Sequence, residues 1–213
     1  MNKKMIISLI SGVAVCLSSA FMVGAAHAQS WPTKPIKFIV PYPPGGGTDV
    51  IARIVQEPLA KELGQQVIID NRGGAGGSIG SALAAQSPSD GYTVLFTLSS
   101  HTINPAFYPR LPFDTEKDFS PVVTIASLPQ ILVANPNFPA KNVKEVIEMA
   151  KAKPGSISYA SVGNGSPGHL AGAMMATDAG VDMVHIPYHG GGPAITDVIA
   201  GQVPLLWVSI PAA

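Results

Sequence analysis

After residue 30, short apolar runs alternate with stretches in which apolar residues recur at helical spacing. Ile36–Val40 and the runs at 67–69 and 92–98 are rich in β-branched or aromatic residues, so we expect three buried strands. Between the strands, apolar positions three or four apart over 50–59 predict one helix, and the small residues of Ser78–Ala85 predict another. This order predicts an α/β fold with a parallel sheet and helices on both faces.

The middle of the chain does not continue this alternation of strands and helices. Residues 101–118 contain three prolines and few periodic apolar positions, which predicts an ordered loop. Strands are predicted at 122–126 and 131–134, and this long connection is the predicted crossover between two lobes. Beyond it we expect helices at 143–151, 168–177 and 193–199, and strands at 157–160, 183–186 and 204–208.

The N-terminus has the layout of a cleaved secretory signal over residues 1–28. Lys3 and Lys4 precede an uncharged apolar stretch at 5–24, and alanines flank His27 at the cleavage position. A membrane anchor is the alternative, because the apolar stretch is long for a signal. Cleavage would remove Cys16, the single cysteine, and leave a soluble periplasmic protein without disulfides.

The charge balance excludes one class of partner. The chain carries 13 basic and 13 acidic residues, and removal of the signal would leave the acidic residues in slight excess. Nucleic-acid binding usually requires a basic face, so we expect no nucleic-acid partner. The 22 glycines and 20 prolines lie between apolar runs, which indicates tight loops rather than disorder.

Four glycine-rich loops are the candidate binding elements, at residues 42–49, 71–78, 163–169 and 188–192. In open α/β sheets, ligands bind at the carboxyl ends of the strands, where such loops lead into helices. Glycine allows close approach of the backbone, and free N–H groups at a helix start favour an anion. Thr48 or Asp49 is expected to cap the first helix and Gly64 to end it. The alternative is that these glycines only form tight turns.

Catalytic and cofactor motifs fit the sequence less well. Residues 74–80 resemble a dinucleotide fingerprint, but the last glycine comes one residue late, and no Gly-Lys-Ser/Thr follows. Asn164 replaces the first glycine of a Gly-x-Ser-x-Gly motif, although a hydrolase using Ser166 with His169 or His189 stays an alternative. His185 and His189 have the spacing of a helical metal pair, but the intervening Pro187 disfavours a helix. We therefore expect no enzyme activity, no cofactor and no metal.

The motifs themselves resemble those of the Bug (Bordetella uptake gene) family, also called TctC-like, the binding component of tripartite tricarboxylate transporters. The resemblance runs from Trp31 to the last residue. The motifs are Trp31-Pro32-x-x-Pro35-Ile36, Pro41-Tyr42-x-x-Gly45-Gly46-Gly47-Thr48-Asp49, Asn71-Arg72-x-Gly74-Ala75-Gly76-Gly77, Asn104-Pro105, Asp118-Phe119-x-Pro121-Val122, Ser161-x-Gly163-x-Gly165-Ser166-x-x-His169-Leu170 and Pro187-Tyr188-x-Gly190.

The resemblance implies a two-lobe periplasmic binding protein, or Venus flytrap, with parallel-rich sheets. Its lobes would be residues 29–126 and 127–213, closing around a small carboxylate for uptake through a tripartite tricarboxylate transporter permease. Family members continue beyond the position of Ala213, so we expect the second lobe to be incomplete at the C-terminus. A non-functional fragment is therefore a further alternative.

The resemblance also implies which residues bind the ligand. Asp49 is ambiguous, because it can cap its helix or hold a ligand amine or a bridging water. The ligand class stays open among dicarboxylates, tricarboxylates, aromatic acids and amino acids, with no Arg or Lys cluster to favour highly charged ligands. The implied ligand-binding residues are Tyr42, Gly46, Gly47, Asp49, Ala75, Gly76, Gly77, Ser99, His101, Gly163, Asn164, Ser166, His169, Tyr188 and Gly190.

Overall fold

A computed structural model describes residues 31–213, and the predicted signal segment lies outside the described residues. The first of two sheets has three parallel strands in the order β2-β1-β3. Phe38 on the central strand pairs with Ile69 on one side and Val94 on the other. The elements of this half are β1 (Ile36–Val40), α1 (Gly47–Leu63), β2 (Val67–Asn71), a 3₁₀ turn (Ala75–Gly77), α2 (Ser78–Ala85), β3 (Thr93–Leu95) and α3 (Ser100–Phe107).

The second sheet has four strands in the order β4-β7-β5-β6. Strands β5, β6 and β7 are parallel to one another, whereas β4 runs antiparallel to β7. The elements are β4 (Gln130–Ala134), α4 (Val143–Ala152), β5 (Ser158–Ser161), α5 (Pro167–Ala179), β6 (Val184–Pro187), α6 (Gly191–Ile199), β7 (Leu205–Ser209) and a 3₁₀ turn (Ile210–Ala212).

Helices cover both faces of the second sheet. On one face, Leu206 packs in a cluster with Val198 of α6. On the other face, Leu205 packs in a cluster with Val146 of α4 and with Tyr159. Because successive residues of a strand point to opposite faces, β7 is apolar on both, which explains its continuous hydrophobic run.

Close helix packing sets the position of the loop that leads into α5. A Cβ atom added to Gly172 would lie 2.2 Å from the ring of Tyr159, and one added to Gly168 would lie 2.7 Å from the carbonyl oxygen of Trp207. Only glycine allows this approach. The first two turns of α5 are therefore held directly against β7 and β5.

The structure corrects the prediction of a loop at residues 101–118, because α3 occupies Ser100–Phe107 despite Pro105. The amide nitrogen of Asn104, on this helix, donates to the carbonyl oxygen of Gly76 at 3.0 Å and to the hydroxyl of Ser78 at 3.1 Å. Asn104 is fully buried. These tertiary bonds hold a helix that local propensity disfavours.

Two of the predicted strands also differ from the strands in the structure. The third strand covers only Thr93–Leu95 instead of 92–98, because its partner β1 ends at Val40, before Pro41. Residues 122–126 form no strand in the described chain, where Val122 and Val123 are 81% and 69% exposed. A strand requires a hydrogen-bonded neighbour, and within residues 31–213 no other segment pairs with this one.

Of the two capping predictions for α1, the one for its C-terminus is confirmed and the one for its N-terminus is wrong. Gly64 ends the helix with φ of 64°, as predicted. The N-cap is Gly46, which makes no side-chain cap bond, so the prediction that Thr48 or Asp49 caps this helix is wrong. Over residues 31–213, none of the helices has the length and apolar character that crossing a membrane would require.

Candidate functional site

The four glycine-rich loops meet at one cavity of about 200 Å³. They follow β1, β2, β5 and β6, and in each sheet these strands are parallel, so their carboxyl ends share one edge. The cavity is lined by Pro41, Tyr42, Pro43, Gly74, Ala75, Gly76, Gly77, Tyr108, Val162, Gly163, Asn164, Pro187, Tyr188, His189 and Gly190.

Backbone N–H groups of the lining are available to a ligand. Those of Ala75, Gly76, Asn164, His189 and Gly190 make no hydrogen bond within the described residues. They come from loops of both sheets, and Ala75 and Gly76 lie in the 3₁₀ turn that leads into α2. An oxyanion bound here would accept hydrogen bonds from the peptide backbone, with the helix dipole adding to them.

The loops approach each other closely at Gly76. A Cβ atom at this position would lie 2.9 Å from the carbonyl oxygen of Asn164, 3.1 Å from the Asn104 side-chain oxygen and 3.1 Å from the Tyr108 hydroxyl. The φ angle of Gly76 is 62°, in the left-handed region. Glycine is therefore required here both for backbone conformation and for space.

The lining carries no Asp, Glu, Lys or Arg side chain. The nearby Asp49 is 2% exposed, and its carboxylate accepts hydrogen bonds from the Gly45 N–H at 2.9 Å, Arg53 Nε at 2.9 Å and Asn71 Nδ2 at 3.0 Å. Asn71 Nδ2 also donates to the carbonyl oxygen of Tyr42 at 3.1 Å. This network joins the loops after β1 and β2 and fixes their relative position.

The contacts of Asp49 also set its charge state. Burial raises the pKa of this carboxyl, but the hydrogen bonds from Arg53, Gly45 and Asn71 outweigh burial and leave the pKa below its ordinary value. Asp49 is thus ionised and fully engaged with protein groups. Of its two predicted roles, capping is excluded by the helix start, and a ligand contact stays a prediction for a residue outside the lining.

In the second half, aromatic and hydroxyl groups support the loop that begins at Gly163. The Ser161 hydroxyl lies 2.7 Å from His185 Nε2 and also accepts from the Gly163 N–H at 3.1 Å. The His185 ring stacks on that of His169, with centroids 4.0 Å apart. Burial, with a smaller effect of neighbouring His169, lowers the pKa of His185 to about 4, so the ring is neutral at pH 7.

The geometry does not form a hydrolase centre around Ser166. Its hydroxyl accepts from the His169 backbone N–H at 3.2 Å and thereby caps α5. His169 Nδ1 in turn accepts from the Gly165 N–H at 3.2 Å. The hydroxyl of Ser161 does lie within hydrogen-bond distance of a histidine ring nitrogen, that of His185. Ser161 is fully buried beneath the loop that begins at Gly163, however, so no substrate can reach it. Within residues 31–213, no group of three possible metal ligands occurs either.

The structure brings together only part of the predicted set. Gly46 and Gly47 lie at the start of α1, and Ser99 is at the start of α3. His101 packs its ring against Phe113 and Phe119 instead of lining the cavity. Asp49, Ser166 and His169 also lie outside the lining. The predicted residues that line the cavity are Tyr42, Ala75, Gly76, Gly77, Gly163, Asn164, Tyr188 and Gly190.

Several lining residues were not predicted. Pro43, Gly74 and His189 lie within the predicted loops, and Pro41, Val162 and Pro187 each immediately precede one. Tyr108 is different, because it comes from the segment that the sequence predicts as a loop between lobes. The unpredicted lining residues are Pro41, Pro43, Gly74, Tyr108, Val162, Pro187 and His189.

Comparison with known proteins identifies similar sequences. A family model described as tripartite tricarboxylate transporter family receptor matches residues 51–213. The chain is 39% identical to the UPF0065 protein in the tcbD-tcbE intergenic region of Pseudomonas sp. strain P51, over 95% of the chain and 60% of that protein. It is 35% identical to Protein BugT of Bordetella pertussis, over 96% of the chain and 63% of that protein.

Solved structures are similar as well. The structure of R. palustris Rpa4515 with adipate has a TM-score of 0.82 and 35% identity, over 85% of the chain and 61% of that structure. The periplasmic binding protein BugD has a TM-score of 0.77 and 34% identity, over 85% and 60%. MatC from Rhodopseudomonas palustris with bound malate has a TM-score of 0.77 and 31% identity, over 84% and 62%.

These similarities confirm the predicted resemblance and the predicted fold class, an α/β periplasmic binding protein with parallel-rich sheets. The chain spans about three fifths of the length of the relatives it matches.

Proposed function

Because the chain belongs to the tripartite tricarboxylate transporter receptor family, we propose that it captures a small carboxylate in the cavity formed by its four glycine-rich loops. The matching family is one of receptors rather than enzymes, and we assign the site no catalytic step. Its role is binding of a solute for uptake.

The observation that carries this proposal is the set of unpartnered N–H groups in a lining without Asp, Glu, Lys or Arg. Ala75 and Gly76 supply them on the first-sheet side, and Asn164, His189 and Gly190 on the second-sheet side. A hydrogen bond to a charged group contributes about 1.5–3 kcal/mol, and a helix N-terminus about 0.3–1 kcal/mol. A few such bonds are enough to hold a carboxylate without any basic side chain.

The size of the cavity and the charge of its lining limit the class of ligand that we propose. The volume of about 200 Å³ fits a small acid, and the lining provides no Lys or Arg to neutralise several charges. Two of the similar structures are those of R. palustris Rpa4515 with adipate and of MatC with bound malate. We propose a dicarboxylate, an aromatic acid or an amino acid before a tricarboxylate.

The proposed location and partner follow from the predicted signal and from the family. After cleavage at residue 28, the protein acts in the periplasm and presents the bound acid to a membrane permease of the tripartite tricarboxylate transporter type. Similar solved proteins include the periplasmic binding protein BugD.

Thermal unfolding with added acids tests the proposal. Adipate, malate, citrate, glutamate and benzoate are each added at 1 mM and 10 mM, with adipamide as an uncharged control. A ligand present at about 100 times its Kd stabilises by roughly 2.7 kcal/mol, which raises the Tm by about 5–10 °C in a chain of this size. Stabilisation by adipate but not adipamide is expected, and no Tm shift with any acid at 10 mM would refute the proposal.

A further inference from the structure

Three tyrosines line the cavity, and their hydroxyl groups differ in whether they are hydrogen-bonded to protein groups. The Tyr42 hydroxyl is bonded to the hydroxyl of Ser100 and lies 3.3 Å from that of Thr97. The Tyr188 hydroxyl donates to the Asp197 carboxylate at 2.7 Å. The Tyr108 hydroxyl has no hydrogen-bond partner among residues 31–213, so it alone is available to a ligand.

The position of Tyr108 is fixed from its own backbone and from the loop beside it. It follows the last turn of α3, and its N–H donates to the carbonyl oxygen of Asn104 at 2.8 Å. The side chain of Asn104 in turn holds the carbonyl of Gly76. The Tyr108 hydroxyl lies 3.1 Å from the point where a Cβ of Gly76 would be, which places it beside the unpartnered N–H groups of Ala75 and Gly76.

We propose that Tyr108 is a ligand-contacting, specificity-determining residue, whose phenol donates a hydrogen bond to the same carboxylate that the N–H groups of Ala75 and Gly76 hold. This inference rests on the proposed function and adds a side-chain contact to it. The family resemblance did not include Tyr108 among the implied binding residues.

The chemistry of the phenol fits this role. Burial raises the pKa of Tyr108, so the hydroxyl keeps its proton at neutral pH and can donate it. A carboxylate oxygen is a strong acceptor for such a donor, because the bond is charge-assisted. An amide in place of the carboxylate gains less, so Tyr108 favours the acid over its amide.

Tyr108→Phe removes only the hydroxyl, and Tyr92→Phe is the matched control, at a tyrosine outside the lining of the cavity. Titration calorimetry with adipate and with malate compares the two variants with the wild type. We expect the Kd of Tyr108→Phe to rise about tenfold to a hundredfold, the range for loss of one hydrogen bond to a charged group. For Tyr92→Phe the Kd is expected to stay within about threefold, since Tyr92 precedes β3 and so lies at the edge of the sheet opposite the glycine-rich loops.

Unfolding without ligand separates a binding role from a structural one. Because the Tyr108 hydroxyl has no protein partner, Tyr108→Phe is expected to unfold at the wild-type urea midpoint, whereas Tyr188→Phe unfolds earlier. A lower midpoint for Tyr108→Phe would overturn the inference, and so would an unchanged Kd in a chain whose wild type binds. If the wild type binds none of the acids in the panel, the proposed function fails and this inference fails with it.

Discussion

Substitution of Gly76 by alanine tests whether the two loops meet as tightly as the geometry indicates. The new Cβ would lie 2.9 Å from the carbonyl oxygen of Asn164, which belongs to the opposite loop, and 3.1 Å from the side-chain oxygen of Asn104. The first of these atoms is backbone and cannot rotate away. We therefore expect Gly76→Ala to weaken adipate or malate binding and to lower the free energy of unfolding.

The expected loss in the free energy of unfolding of Gly76→Ala has two parts. A left-handed conformation costs alanine about 1–2 kcal/mol relative to glycine. Overpacking adds about 1–3 kcal/mol where the surroundings cannot move. Gly64 offers a matched control, because its φ of 64° is close to the 62° of Gly76, while its Cβ position has no atom within 4 Å. The difference between the two variants isolates the steric part.

Urea unfolding and calorimetry measure both effects. With a slope of about 1–3 kcal/mol per molar urea, a loss of 2 kcal/mol shifts the midpoint by roughly 0.7–2 M. Gly64→Ala is expected to lose stability through its φ angle alone and to bind acids as the wild type does. Equal loss of stability in Gly76→Ala and Gly64→Ala, together with unchanged binding in both, would refute the close contact between the loops.

Three other side chains give separate predictions. Asp49→Asn is expected to lower the free energy of unfolding by about 1–3 kcal/mol at pH 7 and by less at pH 3, because the wild-type contribution is present above the unfolded pKa and is lost as pH falls through the lowered folded pKa. The wild type is expected to lose stability as pH falls from 6.5 towards 4, because the unfolded chain protonates His185 first; His185→Gln should flatten this slope. Ser166→Ala should cost about 1 kcal/mol as a lost helix cap and leave p-nitrophenyl ester hydrolysis at the buffer rate.

Each of these has a contrary result. An Asp49→Asn variant whose deficit is equal at both pH values would show that the carboxylate charge does not stabilise the loops. A wild-type urea midpoint that is flat between pH 6.5 and 4 would contradict the lowered pKa of His185. Ester hydrolysis that depends on Ser166 would favour the hydrolase alternative.

The sequence predicted regular elements well where one physical signal dominated. Strands β1 and β7 are apolar runs bounded by Pro, Gly or polar residues, and α1 ends at a left-handed glycine, Gly64. It failed where distant contacts decide the outcome. Helix α3 contains Pro105 and is stabilised by hydrogen bonds from Asn104 to Gly76 and Ser78. No local sequence pattern predicts these bonds. The antiparallel pairing of β4 with β7 likewise joins segments about seventy residues apart.

The site shows the same division. Glycine loops that lead into helices are a local signal, and all four contribute to one cavity. The side chains within those loops were harder to assign, because their roles depend on what they face. Ser166 turns inwards as a cap, and His101 packs against two phenylalanines. Tyr108 reaches the cavity only because α3 forms.

The charged side chains of the first half lie outside the lining of the cavity, which affects the stability of the protein without ligand. Asp49 and Arg53 neutralise each other within a hydrogen-bonded network, so holding the loops leaves no unbalanced charge in the cavity. A lysine in the lining would need a counter-ion whenever ligand was absent, because an unpaired buried charge is costly. Peptide N–H groups are polar but uncharged, so leaving them without a ligand carries a much lower penalty. The proposed receptor must release its acid as well as bind it, and peptide dipoles serve both steps, while the Asp49–Arg53 ion pair only positions the loops.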